Sequence, residues 1–281
     1  MLGRKLARHG IAILATALIG GFLSATLVRL APGFNTDEAQ LDPHLNSASV
    51  QALRQSRLEQ DNIFRFYAHS LGRALRGDLG TSISLGQPVS SLFRDRIPLT
   101  LRLVGMGLLL SWAAVLAMAL TAARFQVPVY DGAATVLSGT LLCIPAAVLA
   151  LLSVLWNVPG ALAIALIIFP RDYRYARNLL GKASSLPHVL AARAKGLSEG
   201  RILFWHVIPV VAPQMLAVAG VSVSMAIGAA IPIEAICDVP GLGRLAWNAA
   251  MARDLPLLVN LTMLVAVATT IATAVSEMVN D

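Results

Sequence analysis

Residues 191–209 read AARAKGLSEGRILFWHVIP, and they stand between two stretches too apolar to live in water. Gly196 lies thirteen positions before Pro209. Ser184-Ser185, with Pro187 in the first turn, makes a good helix start. Ala191, Ala192 and Ala194 favour helix and leave a smooth surface of small side chains. Gly196 suits a C-terminal cap, and Ser198 suits the N-cap of a second helix running to Trp205. The acid of a capping box is missing there, because Arg201 holds its position. Pro209 then stands where the next apolar run opens. The stretch predicts two short helices at a fixed angle, a polar hairpin projecting from a membrane as a docking piece for something soluble. A basic juxtamembrane loop held on anionic lipid is the competing reading.

Composition supports the membrane setting. The chain has 281 residues, 57% hydrophobic and 13% charged, with mean hydropathy +0.71. Soluble domains carry about 25% charged residues, so this is an integral membrane protein. Its net charge of +7 is unevenly placed. Arg4, Lys5 and Arg8 crowd the first ten residues without an acid. Residues 171–205 hold Arg171, Arg174, Arg177, Lys182, Arg193, Lys195 and Arg201 against Asp172 and Glu199. Positive charge flanking apolar spans marks the cytoplasmic side, which argues against nucleic acid as a partner.

Counting spans gives six. A membrane helix needs about 20 apolar residues. Gly10–Val28 qualifies as a retained first helix, since no Ala-x-Ala cleavage site follows it. Leu103–Ala123 is the second. No residue from Gly132 to Phe169 is charged, enough for a third and a fourth helix broken at Trp156-Asn-Val-Pro-Gly160. Val210–Ile233 is the fifth and Pro256–Val275 the sixth. The fourth is short of apolar residues before Arg171. It either extends through Leu180 with its arginines snorkelling, or is shielded by neighbours. This reading divides the chain into an N-terminal span (1–31), an external segment (32–98), and a five-span core (99–281) bearing a cytoplasmic loop at 171–208. Both termini are then cytoplasmic. Residues 32–98 balance seven Arg against seven Asp or Glu, and segments of that length translocate regardless of charge.

Chemistry elsewhere is sparse. Cys143 and Cys237 show neither metal spacing nor a disulfide framework, and no catalytic or metal-binding grouping emerges. Gly241-Leu-Gly243-Arg lacks the Gly-Lys-Ser/Thr ending of a phosphate-binding loop, so any ATP must be hydrolysed by a partner. Glu234 closes the fifth span, where a charge costs at least about 2.5 kcal/mol and raises a functional hypothesis: contact with a substrate amine or an arginine. Gly220, Ser224 and Gly228 make a stripe of small residues on the fifth span, fit for a subunit interface or for packing within the chain. An ion-coupled secondary transporter needs several buried ionisable groups; apart from Glu234 the spans hold almost none.

The order Ala191-Ala192, Gly196, Ile208-Pro209 resembles the EAA loop of binding-protein-dependent ABC importer permeases, with Leu190 where many members carry glutamate. Ala192-Arg-Ala-Lys-Gly-Leu-Ser198 is similar to the dipeptide, oligopeptide and nickel branch, first permease type. Further matches run along the chain: Arg29-Leu-Ala-Pro-Gly33, Gly77-Asp-Leu-Gly80, Gly86-Gln-Pro-Val89, Arg96-Ile-Pro-Leu-Thr100, Pro240-Gly-Leu-Gly-Arg-Leu245 and Ala252-Arg-Asp254. Four features depart from the pattern: Leu190, a short third–fourth connection, Arg102 where an acid is common, and no basic Pro-Arg tail. The resemblance implies an all-α integral membrane protein with the six-helix type I importer permease fold. It implies an ATPase-docking segment at Ala191, Ala192, Arg193, Ala194, Lys195, Gly196, Leu197, Ser198 and Pro209, and an outer gate near Gly241 and Gly243. No cofactor is expected on the chain itself, ATP being bound by partners. Those partners are a second permease, two cytoplasmic ATPases, an external solute-binding protein and membrane lipid.

Overall fold

Proline and glycine decide where the apolar runs are cut. The computed structural model describes residues 2–30, 63–74, 76–125 and 128–280, and among these every regular element is a helix. They are α1 (Leu2–Leu30), α2 (Ile63–Ala74), α3 (Val89–Phe125), α4 (Pro128–Leu142), α5 (Ala146–Leu155) and α6 (Gly160–Ser184). Then come α7 (Pro187–Ala194), α8 (Glu199–Ile202), a π-helical turn (Leu203–Val207), α9 (Ile208–Ile236), α10 (Leu242–Met251) and α11 (Leu255–Asn280).

Among the described residues, four helices are long and apolar enough to cross a membrane, lying at His9–Leu27, Val89–Phe125, Glu199–Ile236 and Leu255–Glu277. They cover the expected first, second, fifth and sixth spans. The expected third span is not one helix. Val129–Leu142 and Ala146–Leu155 meet at a bend of 97°, and count as a fifth span only if taken together. Pro145 has no N–H to continue the ladder, and its extended backbone (ψ 143°) sets the new direction. Before it, Cys143 and Ile144 close the preceding turn onto Thr140 and Leu141, three residues back.

The fourth helix does run on through the charged segment, past Pro170 to Ser184. Neighbours shield it. Ile164, Ile168, Asp172, Tyr173 and Leu180 are all buried. Arg177 does not snorkel freely: its guanidinium forks onto both carboxylate oxygens of Asp131. Asp172 turns wholly inward and accepts a hydrogen bond from Ser222 Oγ. Composition had hidden that second buried acid.

The chain divides into two compact units, residues 1–96 with 245–267 and residues 97–244 with 268–281. Residues 245–267 thus group with the N-terminal helix rather than with the remainder of segment 99–281. Within the first unit, Tyr67 joins α2 to α1 by donating to the Leu18 carbonyl at 2.8 Å and meeting Phe22 edge-on. Asp254 caps α11 through the Leu257 amide (3.1 Å). Its other oxygen accepts from Ser82 Oγ (2.5 Å) and from the amide and hydroxyl of Ser84 (2.9 and 2.8 Å). The turn carrying Gly80 and Gly86 is thereby pinned to the start of α11. Beside it, the Gly80 amide and the Arg73 guanidinium hold the Asp78 carboxyl below the usual carboxylate range. The remainder of the expected external segment, residues 32–62 with Pro32 and Gly33 and residue 75, lies outside the described residues.

The second unit is built on two apolar clusters. One joins Val104, Ile164, Ile168, Ala226 and Ile233 of α3, α6 and α9. The other runs from Val115 and Ala119 of α3 through Tyr173 and Leu180 of α6 to Val189, Ala192, Ile202, Val207 and Val211. It carries the helical hairpin and the base of α9 in a single core.

Candidate functional site

The hairpin forms as two helices, with altered boundaries. Leu186, in extended conformation, is the N-cap of α7, and Pro187 is its first residue. Ser184 and Ser185 do not start it; their hydroxyls bond back to the Leu180 and Lys182 carbonyls and finish α6. At the other end Gly196 takes φ +76°, a left-handed conformation with little penalty only for glycine. The Gly196 amide donates to Arg193 O (2.9 Å) and the Leu197 amide to Ala192 O (3.3 Å). That pair of bonds is a Schellman closure, which satisfies the last carbonyls of the helix.

Ser198 is the N-cap of α8 by its backbone, without a side-chain bond. The second helix does not run as regular α-helix to Trp205. It widens into the π turn at Leu203 and flows into α9 without a break. Pro209 therefore sits in the first turn of α9 rather than marking a separate start. A proline offers no N–H, and a π turn takes up the mismatch.

Burial sorts the predicted docking residues. Val189 and Ala192 point into the chain's own core, Ala192 at 4% exposed. His188, Leu190, Ala191, Ala194, Lys195, Gly196 and Ser198 face outward, and Arg193 and Leu197 are half-buried. Leu190, standing where glutamate was expected, thus adds an apolar side chain to the exposed face. Sequence reading missed the tie across the turn: Arg193 makes a two-pronged ion pair with Glu199, at 2.9 and 3.1 Å. His188 adds a contact to the His206 carbonyl at 3.3 Å.

The ion pair should be measurable as local stability. Both partners are about one-third exposed, which limits such a pair to roughly 0.5 kcal/mol. Arg193→Glu should speed amide hydrogen exchange at residues 194–200 by about twofold or more, and adding Glu199→Arg should restore it. Unchanged exchange in the single variant would show that Gly196 and the core hold the turn alone.

Glu234, Gly241 and Gly243, named separately from sequence, are brought together. Glu234 is fully buried near the end of α9, and its carboxylate accepts from the Gly243 amide at 2.6 Å. A Cβ at Gly241 would lie 2.3 Å from the carboxyl carbon and both oxygens; one at Gly243 would lie 2.5 Å from Ile231 Cα. The glycines let the loop close over the acid. Thr100 Oγ1 accepts from the Leu242 amide at 2.8 Å, fastening the loop from α3. The carboxylate therefore faces its own loop rather than open water.

The small-residue stripe of α9 is mostly occupied within the chain. A Cβ at Gly220 would meet Ser276 Cβ at 2.5 Å. Ser224 Oγ donates to Thr269 O at 3.0 Å and lies 3.2 Å from Thr273 Oγ1. Gly228 alone has open space around it. Among the described residues no group of His, Cys, Asp and Glu is placed to hold a metal.

These features define a class: a multi-pass helical membrane protein with a rigid helix–turn–helix rooted in its transmembrane core. The chain belongs to the family of binding-protein-dependent transport system inner membrane components, which its residues 114–281 match. It is 26% identical to the oligopeptide transport system permease protein AppB of Bacillus subtilis (strain 168), over 91% of this chain and 90% of that one. It is 29% identical to a putative peptide transport system permease protein of Brucella abortus (strain 2308), over 85% and 84% of the two chains. With the dipeptide transport system permease protein DppB of Lactococcus lactis it shares 24% identity, over 93% and 91%.

Proposed function

We propose that this chain is one permease half of an ATP-driven importer of di- or oligopeptides in the bacterial cytoplasmic membrane, with both termini cytoplasmic. It works with a second, similar permease, two ATPases and an external binding protein. The observation that carries the reading is the outward face of α7. Leu190, Ala191 and Ala194 present apolar side chains, two of them small, with the charged Lys195 at the cap, on a helix whose opposite face, Val189 and Ala192, shares a core with α3, α6 and α9. A push on that face moves the membrane helices with it, because a packed core transmits displacement instead of absorbing it. ATP closing the two ATPases draws the docking helices together and turns the pore outward to receive solute. Release of the nucleotide products reverses the movement. The peptide assignment leans on the relatives' names and on the Ala192–Ser198 motif. Of the α9 stripe, Gly228 is the position left for the second permease.

Orientation and energy source test this together. In a chain lacking Cys143 and Cys237, a cysteine at Asn248 should react with a membrane-impermeant maleimide in intact cells, and one at Ser198 only after lysis. The purified assembly should take up dipeptides in liposomes only with ATP. The reverse labelling pattern would leave the ATPases nothing to bind. Uptake by this chain alone, driven by an ion gradient and indifferent to ATP, would make it a secondary transporter.

A further inference from the structure

A recess of about 400 Å³ opens along the second unit between α6, α9 and the final turns of α11. Its walls carry Arg171 and Tyr175 from α6, Gln214 and Val221 from α9, and Ser276 and Glu277 from α11. Close approach of α9 and α11 forms one side, where Gly220 leaves room for Ser276 and Ser276 Oγ donates to Ala217 O.

Arg171, half-buried, lines this recess. Its guanidinium donates to the Met225 sulfur and lies 5.5 Å from the centre of the Tyr175 ring. Both are weak partners for a cation that has five donors. Asp172 follows it in sequence but turns the other way, to Ser222, and no ion pair joins the two. Met225 is seventeen residues from the start of α9 and eleven from its end, so Arg171 stands on the order of 16 Å from the nearer end of that span. Lipid headgroups lie at span ends, and acyl chains do not solvate a guanidinium. Ionisable groups at such depth face a bundle interior or a water-filled cavity. A volume near 400 Å³ falls in the range of small-solute sites.

We propose that this recess is a station on the translocation pathway, where Arg171 receives a carboxylate of the passing solute and Gln214 hydrogen-bonds its amide. The peptide chemistry rests on the function proposed above; the aqueous, anion-attracting character of the recess does not. The site lies away from the Glu234–Gly241–Gly243 cluster, which is closed on itself.

The test uses the full chain assembled with its partners, with Cys143 and Cys237 replaced by alanine and Val221→Cys introduced. Leu179→Cys, on the α6 wall, serves if the first variant fails to assemble. An anionic water-soluble methanethiosulfonate should modify the cysteine faster than a cationic one, and Arg171→Gln should shift that ratio by on the order of tenfold. Dipeptide should slow the reaction. Arg171→Gln should also lower ATP-driven dipeptide uptake about tenfold, with partial recovery in Arg171→Lys, which keeps the charge but not the fork. No modification by either reagent, or a ratio unmoved by Arg171→Gln, would overturn the proposal even where peptide is transported. If the reagent pattern appears but the unaltered assembly moves no peptide, the peptide reading falls and the anion-attracting station stands.

Discussion

Gly196→Pro should abolish ATP-driven uptake and ATPase co-purification while the protein still reaches the membrane. Proline holds φ near −65°, and the residue it would replace sits at φ +76°. It would also delete the amide that donates to the Arg193 carbonyl. The turn would have to open, at a cost of about 3 kcal/mol or more, and α8 would leave α7 in another direction. Gly196→Ala asks less. It must adopt the left-handed region at about 1–2 kcal/mol, and should leave partial coupling. The measurement is the amount of ATPase retained through purification together with uptake in liposomes. Full retention of both in Gly196→Pro would remove the docking role from this turn. Ala191→Glu is the companion variant, because Ala191 is exposed. Ala192→Glu would report only on burying a charge, since Ala192 belongs to the core of the chain itself.

Gly241→Ala should destabilise the protein severely, and Glu234→Ala should relieve part of that damage. The added methyl would stand 2.3 Å from three atoms of the Glu234 carboxyl group. That group has little freedom to withdraw, being fully buried and bonded to the Gly243 amide. Overpacking at such a site costs about 1–3 kcal/mol, occasionally more. Glu234→Ala alone should also destabilise, because the Gly243 amide loses its acceptor in a buried place. Removing the carboxylate makes room for the methyl, so the double variant should be more stable than the sum of the two losses by about 1 kcal/mol or more. Thermal unfolding of detergent-purified protein measures this cycle. Strict additivity would mean that the carboxylate and Gly241 do not meet.

Much of this molecule is legible in one dimension. Apolar runs bounded by charge give spans at Gly10–Val28, Leu103–Ala123, Val210–Ile233 and Pro256–Val275, each overlapping a long apolar helix of the structure, because a membrane helix satisfies its backbone internally and needs only length and hydrophobicity. The Gly196 cap is equally local, since a left-handed turn selects glycine whatever surrounds it. Asp254 was legible in the same way. An aspartate just before a helix with proline in its first turn is an N-cap signal, although its grip on Ser82 and Ser84 was not. The bend at Pro145 also had its local sign, passed over when the uncharged run was broken only at Trp156–Gly160.

Other features required the helices to meet. Nothing in the order of residues separates Ala191, which faces out, from Ala192, which faces in; the angle at which α7 lies on α6 and α9 decides it. Arg193 finds Glu199 only once the turn has closed. Gly220 and Ser224 look like an interface stripe until α11 is seen to cover them. Glu234 reads as a charge at a helix end, yet a loop nine residues later folds over it. Composition alone determined that this chain lives in a membrane, and motif spacing determined that it carries a helical hairpin turning at Gly196. The tertiary structure decided which small residues are surface and which are core, and whether a buried charge meets backbone, hydroxyl or open recess. Hydrophobicity and capping act within a few residues, whereas burial and charge pairing depend on which helices pack together.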